Sequence, residues 1–161
     1  LDSKETGGSL FDKLSGVGAA LLVKTLDELE KGTVKPVKQN ETEATHVKML
    51  DKSFGNIDFS MEAARIERLI RGLNPWPSAF THFNGKLLKI WDADVCDDVV
   101  CESGESVVNG MITQVDNNSF IVKCGDNSLK INELQLEGKK RMKTQDFLRG
   151  NHINTGDILG K

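Results

Sequence analysis

The residues whose types and spacing could act on a partner are Gly138-Lys139-Lys140-Arg141-Met142-Lys143. They set four cations at Lys139, Lys140, Arg141 and Lys143, in a chain of net charge −3 with 24 acidic residues against 21 Lys and Arg. Closely spaced ammonium and guanidinium groups on a loop can track a phosphate backbone, each displacing a condensed counterion. The bland alternative is a solvated loop that only aids solubility. The acidic balance argues against a whole surface that binds nucleic acid, so any such role must be local.

Other chemistries find no foothold. There is no Ser-centred elbow, no glycine-rich phosphate loop and no paired-histidine helix. Gly16-Val17-Gly18 lacks the third glycine of a dinucleotide fingerprint and lies in a helical pattern. Asp92, Asp94, Asp97 and Asp98 have no calcium-loop spacing and read as a solvated face. His46, His82 and His152 are scattered, so no metal site is expected. Cys96, Cys101 and Cys124 are odd in number and form no Cys-x-x-Cys pair, which fits reduced thiols in a cytoplasm. No apolar run approaches the roughly 20 residues of a membrane span.

The elements that would position the basic run fall into three parts. Residues 1–32 hold an amphipathic helix over 9–31, with Leu10, Leu14, Val17, Leu21, Leu22, Leu26 and Leu29 on one stripe, Ser9 as cap and Lys31-Gly32 as stop. Gly16 and Gly18 weaken such a helix by about 1 kcal/mol each, which close packing on another element would explain. The stripe has no evident partner in the chain, and the sequence opens in mid-stream at Leu1, so a piece of a longer protein is expected. Residues 33–56 read as a polar, extended linker containing His46, Lys48 and Lys52.

Residues 57–161 form the third part. Ser60 is placed to cap a helix with Ala63, Ile66, Ile70 and Leu73 inward and Arg65, Arg68 and Arg71 on other faces. Pro75 and Pro77 stop that helix, with Trp76 expected to anchor the join. Asn84-Gly85 is a two-residue hairpin signal. Strands are expected at 79–83, 86–95, 107–115, 119–124 and 128–136, with an acidic loop over 96–106. Five short strands in about 60 residues point to a small closed or nearly closed barrel. A short helix over 144–150 and a loosely held tail from Asn151 complete the reading, which is mainly β with helices.

At Ile70-Arg71-Gly72-Leu73-Asn74-Pro75-Trp76-Pro77-Ser78-Ala79-Phe80 the sequence resembles the methionyl-tRNA formyltransferase family. The likeness runs nearly end to end. It includes Glu5-Thr6-Gly7-Gly8-Ser9-Leu10-Phe11-Asp12-Lys13-Leu14, Ile57-Asp58-Phe59, Lys89-Ile90-Trp91, Leu134-Gln135-Leu136-Glu137-Gly138-Lys139-Lys140-Arg141-Met142 and Asp146-Phe147-Leu148-Arg149-Gly150. The linker around Lys48-Met49-Leu50-Asp51 matches more loosely.

The resemblance implies an enzyme that moves a formyl group from 10-formyltetrahydrofolate to the methionine amine of initiator tRNA. It implies a Rossmann-like formyl transfer domain whose helical end is residues 1–32, then the linker, then an open β-barrel like an OB-fold over 57–161. The family's catalytic Asn, His and Asp and its folate pocket would lie upstream of Leu1, leaving no catalytic, cofactor-binding or metal residue here. Lys52, Lys139, Lys140, Arg141 and Lys143 would hold tRNA. A cytoplasmic monomer, free of membranes, is implied. Two other readings remain: the barrel of a sugar-nucleotide formyltransferase or folate-dependent hydrolase, and a stand-alone barrel binding RNA or protein.

Overall fold

Asn84 and Gly85 both have positive φ, 51° and 72°, the backbone a tight two-residue hairpin turn requires. They fold β1 (Ala79–Phe83) onto β2 (Lys86–Cys96) in antiparallel register, with Phe83 opposite Lys86 and Ala79 opposite Ile90. The structure, a computed structural model, describes residues 1–98 and 107–160. Cys101 and most of the expected 96–106 loop lie outside the described residues.

β3 (Ile112–Val115), β4 (Phe120–Lys123) and β5 (Ser128–Leu136) complete one antiparallel sheet in the order β1-β2-β5-β4-β3. A two-residue β6 (Met142–Lys143) returns along β5 and leads into α3 (Thr144–Leu148). The strand expected over 107–115 begins at Ile112, because Gly110 turns at φ 84° and the Met111 N–H donates back to the Val108 carbonyl.

α2 (Ala63–Gly72) packs Ala63, Ile66 and Ile70 onto the sheet beside Leu88, Ile90, Phe120, Leu129 and Leu134, all buried. Each of these Ile, Leu and Phe side chains contributes about 1.5–3 kcal/mol by leaving water. Ser60 does not cap α2. The Ala63 N–H donates instead to Asp126 Oδ1 at 2.7 Å, from the turn between β4 and β5.

The sheet is open, not a closed barrel: β1 and β3 stay unpaired with each other. The tail expected to be loose lies between them. Ile112 donates to the Asp157 carbonyl, Leu159 to Gly110 and Gly160 to the His82 carbonyl, at 2.8–2.9 Å, and Ile153 and Leu159 are buried. A segment without obvious strand pattern is thus held by edge hydrogen bonds and two apolar plugs.

α1 (Gly7–Glu30) starts two residues before the expected helix. Thr6, not Ser9, is its cap, and the two form a reciprocal capping box. Gly32, at φ 63°, closes it as expected. No α1 residue is buried. Phe11, Leu14, Val17, Leu21, Leu22, Val23, Leu26 and Leu29 are 55–72% exposed. A Cβ at Gly16 or Gly18 would meet no described atom within 4 Å. The close packing expected at these glycines is absent among the described residues. Residues 33–50 have no helix or strand, and a 3-10 turn at Lys52–Gly55 precedes the packed part.

The first turn of α1 packs its backbone against the end of α2. The Gly8 N–H donates to the Asn74 carbonyl at 2.8 Å. A Cβ at Gly7 would overlap the Gly72 carbonyl oxygen, and one at Gly8 would press on Pro75 Cδ. These two positions must be glycine for the backbones to approach this closely. Arg71 Nη1 donates to the Glu5 carbonyl at 2.8 Å, and Arg71 also pairs with Glu67 at 2.6 Å. Trp76 does not anchor the join, being 59% exposed; Asn74 does. A bulge between Ile90 and Asp92 takes Trp91 out of the β2–β5 ladder. Asn74 Nδ2 then donates to the Trp91 carbonyl at 3.3 Å.

Two outcomes follow from this joint. Asn74→Ala leaves the Trp91 carbonyl without its side-chain donor and lowers stability by about 1–2 kcal/mol, read as a lower urea midpoint with unchanged m-value. The Glu5 carboxylate, whose side chain is 7% exposed, accepts from Lys13 and Ser9, and this holds its pKa down to about 2. A depressed carboxylate contributes stability that is complete above its ordinary value of 4.5 and is lost as pH falls through about 2. The Tm difference between wild type and Glu5→Gln is therefore expected to be constant above about pH 5.5 and to shrink toward pH 2.

Candidate nucleic-acid interface

The basic run connects β5 to β6, and both its ends are tied. Glu137 N–H donates to the Leu87 carbonyl at 2.8 Å, and Gly138 turns at φ 73° so that Lys139 N–H reaches the Leu136 carbonyl at 2.9 Å. Gln135 Nε2 donates to the Lys139 carbonyl at 2.9 Å. Beyond the loop, Met142 pairs with Leu134 and Lys143 with Glu133 across β6 and β5. The loop thus has short, fixed ends.

Its four cations are not alike. The side chains of Lys139, Lys140 and Lys143 are exposed and have no ion pair or hydrogen bond among the described residues. Arg141 instead donates to Glu133 Oε2, and its guanidinium carbon stands 4.8 Å from the Trp91 ring centroid. The Glu133 bond raises the Arg141 pKa further, so Arg141 is a cation throughout the working range. Lys89 Nζ lies 5.6 Å from the same ring. Trp91 and Lys89 were not among the expected site residues. The signal was Lys89-x-Trp91 on a strand, which sends both to one face; the bulge that aims the ring is not legible.

Lys52 is exposed on the 3-10 turn, an element separate from the basic loop. That turn leads into Asn56, which bridges Phe80 of β1, and β2 separates β1 from β5. No hydrogen bond or ion pair among the described residues joins Lys52 to the loop.

Asp94, Asp97 and Asp98 are exposed, as a solvated face requires, and Asp92 is half-buried; Asp92, Asp94 and Asp98 also hold partners. Asn132 Nδ2 donates to Asp92 at 3.1 Å and Asp94 at 2.8 Å, Lys4 pairs with Asp94 at 2.6 Å, and Lys123 pairs with Asp98. A depression of about 430 Å³ opens among Lys4, Arg71, Trp91, Asp94, Glu133 and Arg141. Its three cations all hold carboxylates. Among the described residues no three His, Cys, Asp or Glu converge to hold a metal. Cys124 is buried and its thiol is pushed up to about 12 by desolvation, so it is not a nucleophile. No described helix is long and apolar enough to cross a membrane.

Residues 49–152 match the family described as "Formyl transferase, C-terminal domain". The chain is 60% identical to a methionyl-tRNA formyltransferase of Lachnospira eligens over 161 residues, covering 100% of this chain and 51% of the relative. It is 50% identical to one from Agathobacter rectalis over 155 residues, covering 96% and 48%. The chain therefore spans about half the length of the curated relatives it matches. Among solved structures, a variant of HypX from Aquifex aeolicus superposes with TM-score 0.59 at 15% identity over 98% of this chain and 30% of that one. HypX in complex with tetrahydrofolic acid gives 0.52 at 14%, over 85% and 26%. At such identities the likeness is one of fold. The matched domain and the identity across the whole chain establish that this protein belongs to the formyl transferase family, through that family's C-terminal domain.

Proposed function

We propose that this chain is the tRNA-holding part of a methionyl-tRNA formyltransferase. That enzyme moves the formyl group of 10-formyltetrahydrofolate onto the methionine amine of initiator tRNA. The observation that carries the reading is the identity of 60% along the whole chain to a relative of that name, joined to an exposed loop whose lysines have no ion pair among the described residues. Three ammonium groups held on short, fixed loop ends suit backbone phosphates, which give affinity and register without reading bases. Lys52, on its separate turn, is a second contact with the same polyanion. The protein acts as a monomer in the cytoplasm.

The formyl donor sits on the half of the relatives that this chain does not match. What supports this is the saturation of its polar depression. Lys4, Arg71 and Arg141 are each taken by a carboxylate, so none is left for the carboxylates of a folate. Formyl transfer to an amine needs donors at the developing oxyanion and a base for the ammonium proton. On this reading the resemblance puts the amide, imidazole and carboxylate that do so in that unmatched half. A fold shared with HypX, one of whose structures holds tetrahydrofolic acid, is consistent with folate-linked chemistry in the complete enzyme.

Two measurements test the reading. The 161-residue chain is expected to bind initiator tRNA with log K falling linearly against log salt. Lys139→Ala, Lys140→Ala and Lys143→Ala together should flatten the slope by roughly 2–3 units. No binding at low salt would overturn the tRNA role. The purified chain, given 10-formyltetrahydrofolate and initiator methionyl-tRNA, is expected to yield no formyl-methionyl-tRNA in a single-turnover assay. Product formation would show that catalytic groups lie within these residues.

A further inference from the structure

We propose that Arg141 is a positioning residue and not a phosphate contact. Held by Glu133 and stacked over Trp91, it pins the loop so that Lys139, Lys140 and Lys143 face the polyanion. The role rests on the tRNA-holding reading above.

Three observations carry it. First, Arg141 is the one cation of the run with a carboxylate partner among the described residues, and its guanidinium stacks on an aromatic ring. Releasing it to a phosphate would forfeit a charge-assisted bond and a cation–π contact together. Second, Glu133 lies directly opposite Lys143 across β5 and β6. If Arg141 left, a bare carboxylate would stand beside an incoming phosphate. Arg141 in place neutralises it, so the acidic sheet does not repel the ligand that the lysines attract. Third, the loop is short and fastened on both sides of the lysine pair. Gln135 holds the Lys139 carbonyl, and Arg141 follows Lys140 directly. Removing one fastening lets Lys139 and Lys140 sample more conformations, which ordering on the ligand must then reverse.

Trp91 is where it is because of the bulge in β2. Lys89, with Nζ 5.6 Å from the ring centroid, adds a second cation to the same ring. A planar guanidinium suits this stack and the carboxylate better than an ammonium does, so lysine at 141 should not substitute fully.

The test uses the 161-residue chain with Trp76→Phe, which leaves Trp91 as its only indole. Trp76 is largely exposed, so the background should fold. Without tRNA, Arg141→Ala is expected to red-shift Trp91 emission and raise its acrylamide quenching, with Arg141→Lys intermediate. Unchanged emission in Arg141→Ala overturns the pin whatever tRNA does. With tRNA, the double variant Glu133→Gln/Arg141→Met removes both charges of the pair. It should weaken binding about three- to tenfold at every salt concentration and keep the wild-type slope. Lys139→Ala alone should flatten the slope by roughly 0.7–0.9. A similar flattening in the double variant would make Arg141 a phosphate contact and overturn the proposal. If wild type shows no salt-dependent binding while Arg141→Ala still shifts Trp91 emission, the tRNA reading fails and the positioning role falls with it, although the stack itself stands.

Discussion

Asn74 is the point on which the architecture hangs. Its carbonyl receives the Gly8 N–H at the start of α1, and its amide reaches the Trp91 carbonyl that the β2 bulge has freed. It lies just past α2, where Pro75 ends any chance of continuing the helix. One residue therefore relates the N-terminal segment, the helix that covers the sheet and the strand that carries the aromatic platform. The glycine pair at 7 and 8 lets the backbones meet there, and Arg71 adds a bond to the Glu5 carbonyl.

The electrostatics follow from the same joint. An acidic chain can present a basic loop only if its nearby carboxylates are occupied. Glu67 takes Arg71, Asp94 takes Lys4 and Glu133 takes Arg141. These pairs are partly exposed, and each is worth little in isolation. Their use is to cancel charge locally and to tie the N-terminal segment and the basic loop to one sheet face. The loop lysines that remain are the ones without partners among the described residues.

α1 behaves differently from the rest. Its first turn is packed, and beyond that its apolar stripe faces outward. An exposed stripe of this extent is what a core face looks like without its covering layer. The relatives are about twice as long as the chain, so on the proposed reading the covering layer belongs to their other half. The glycines at 16 and 18, which meet nothing here, would then serve a contact outside this chain.

Much of the element order was legible from local pattern. The hairpin at Asn84-Gly85, the stop at Lys31-Gly32, the break at Pro75 and the strand and helix order after it depend on neighbours within a few residues, which a sequence displays directly. The basic run was legible for the same reason. What tertiary structure alone decided were the matters set by residues distant in the chain. Asp126 caps a helix 63 positions earlier in place of Ser60, the tail lies along strand edges in place of solvent, and the sheet stays open with that tail between its edges. The division among the four cations belongs here too. Composition makes Lys139, Lys140, Arg141 and Lys143 equivalent; a bulge in another strand, by placing Trp91 beneath one of them, makes them unequal. Local periodicity records which face a side chain takes, whereas long-range register decides what it finds there.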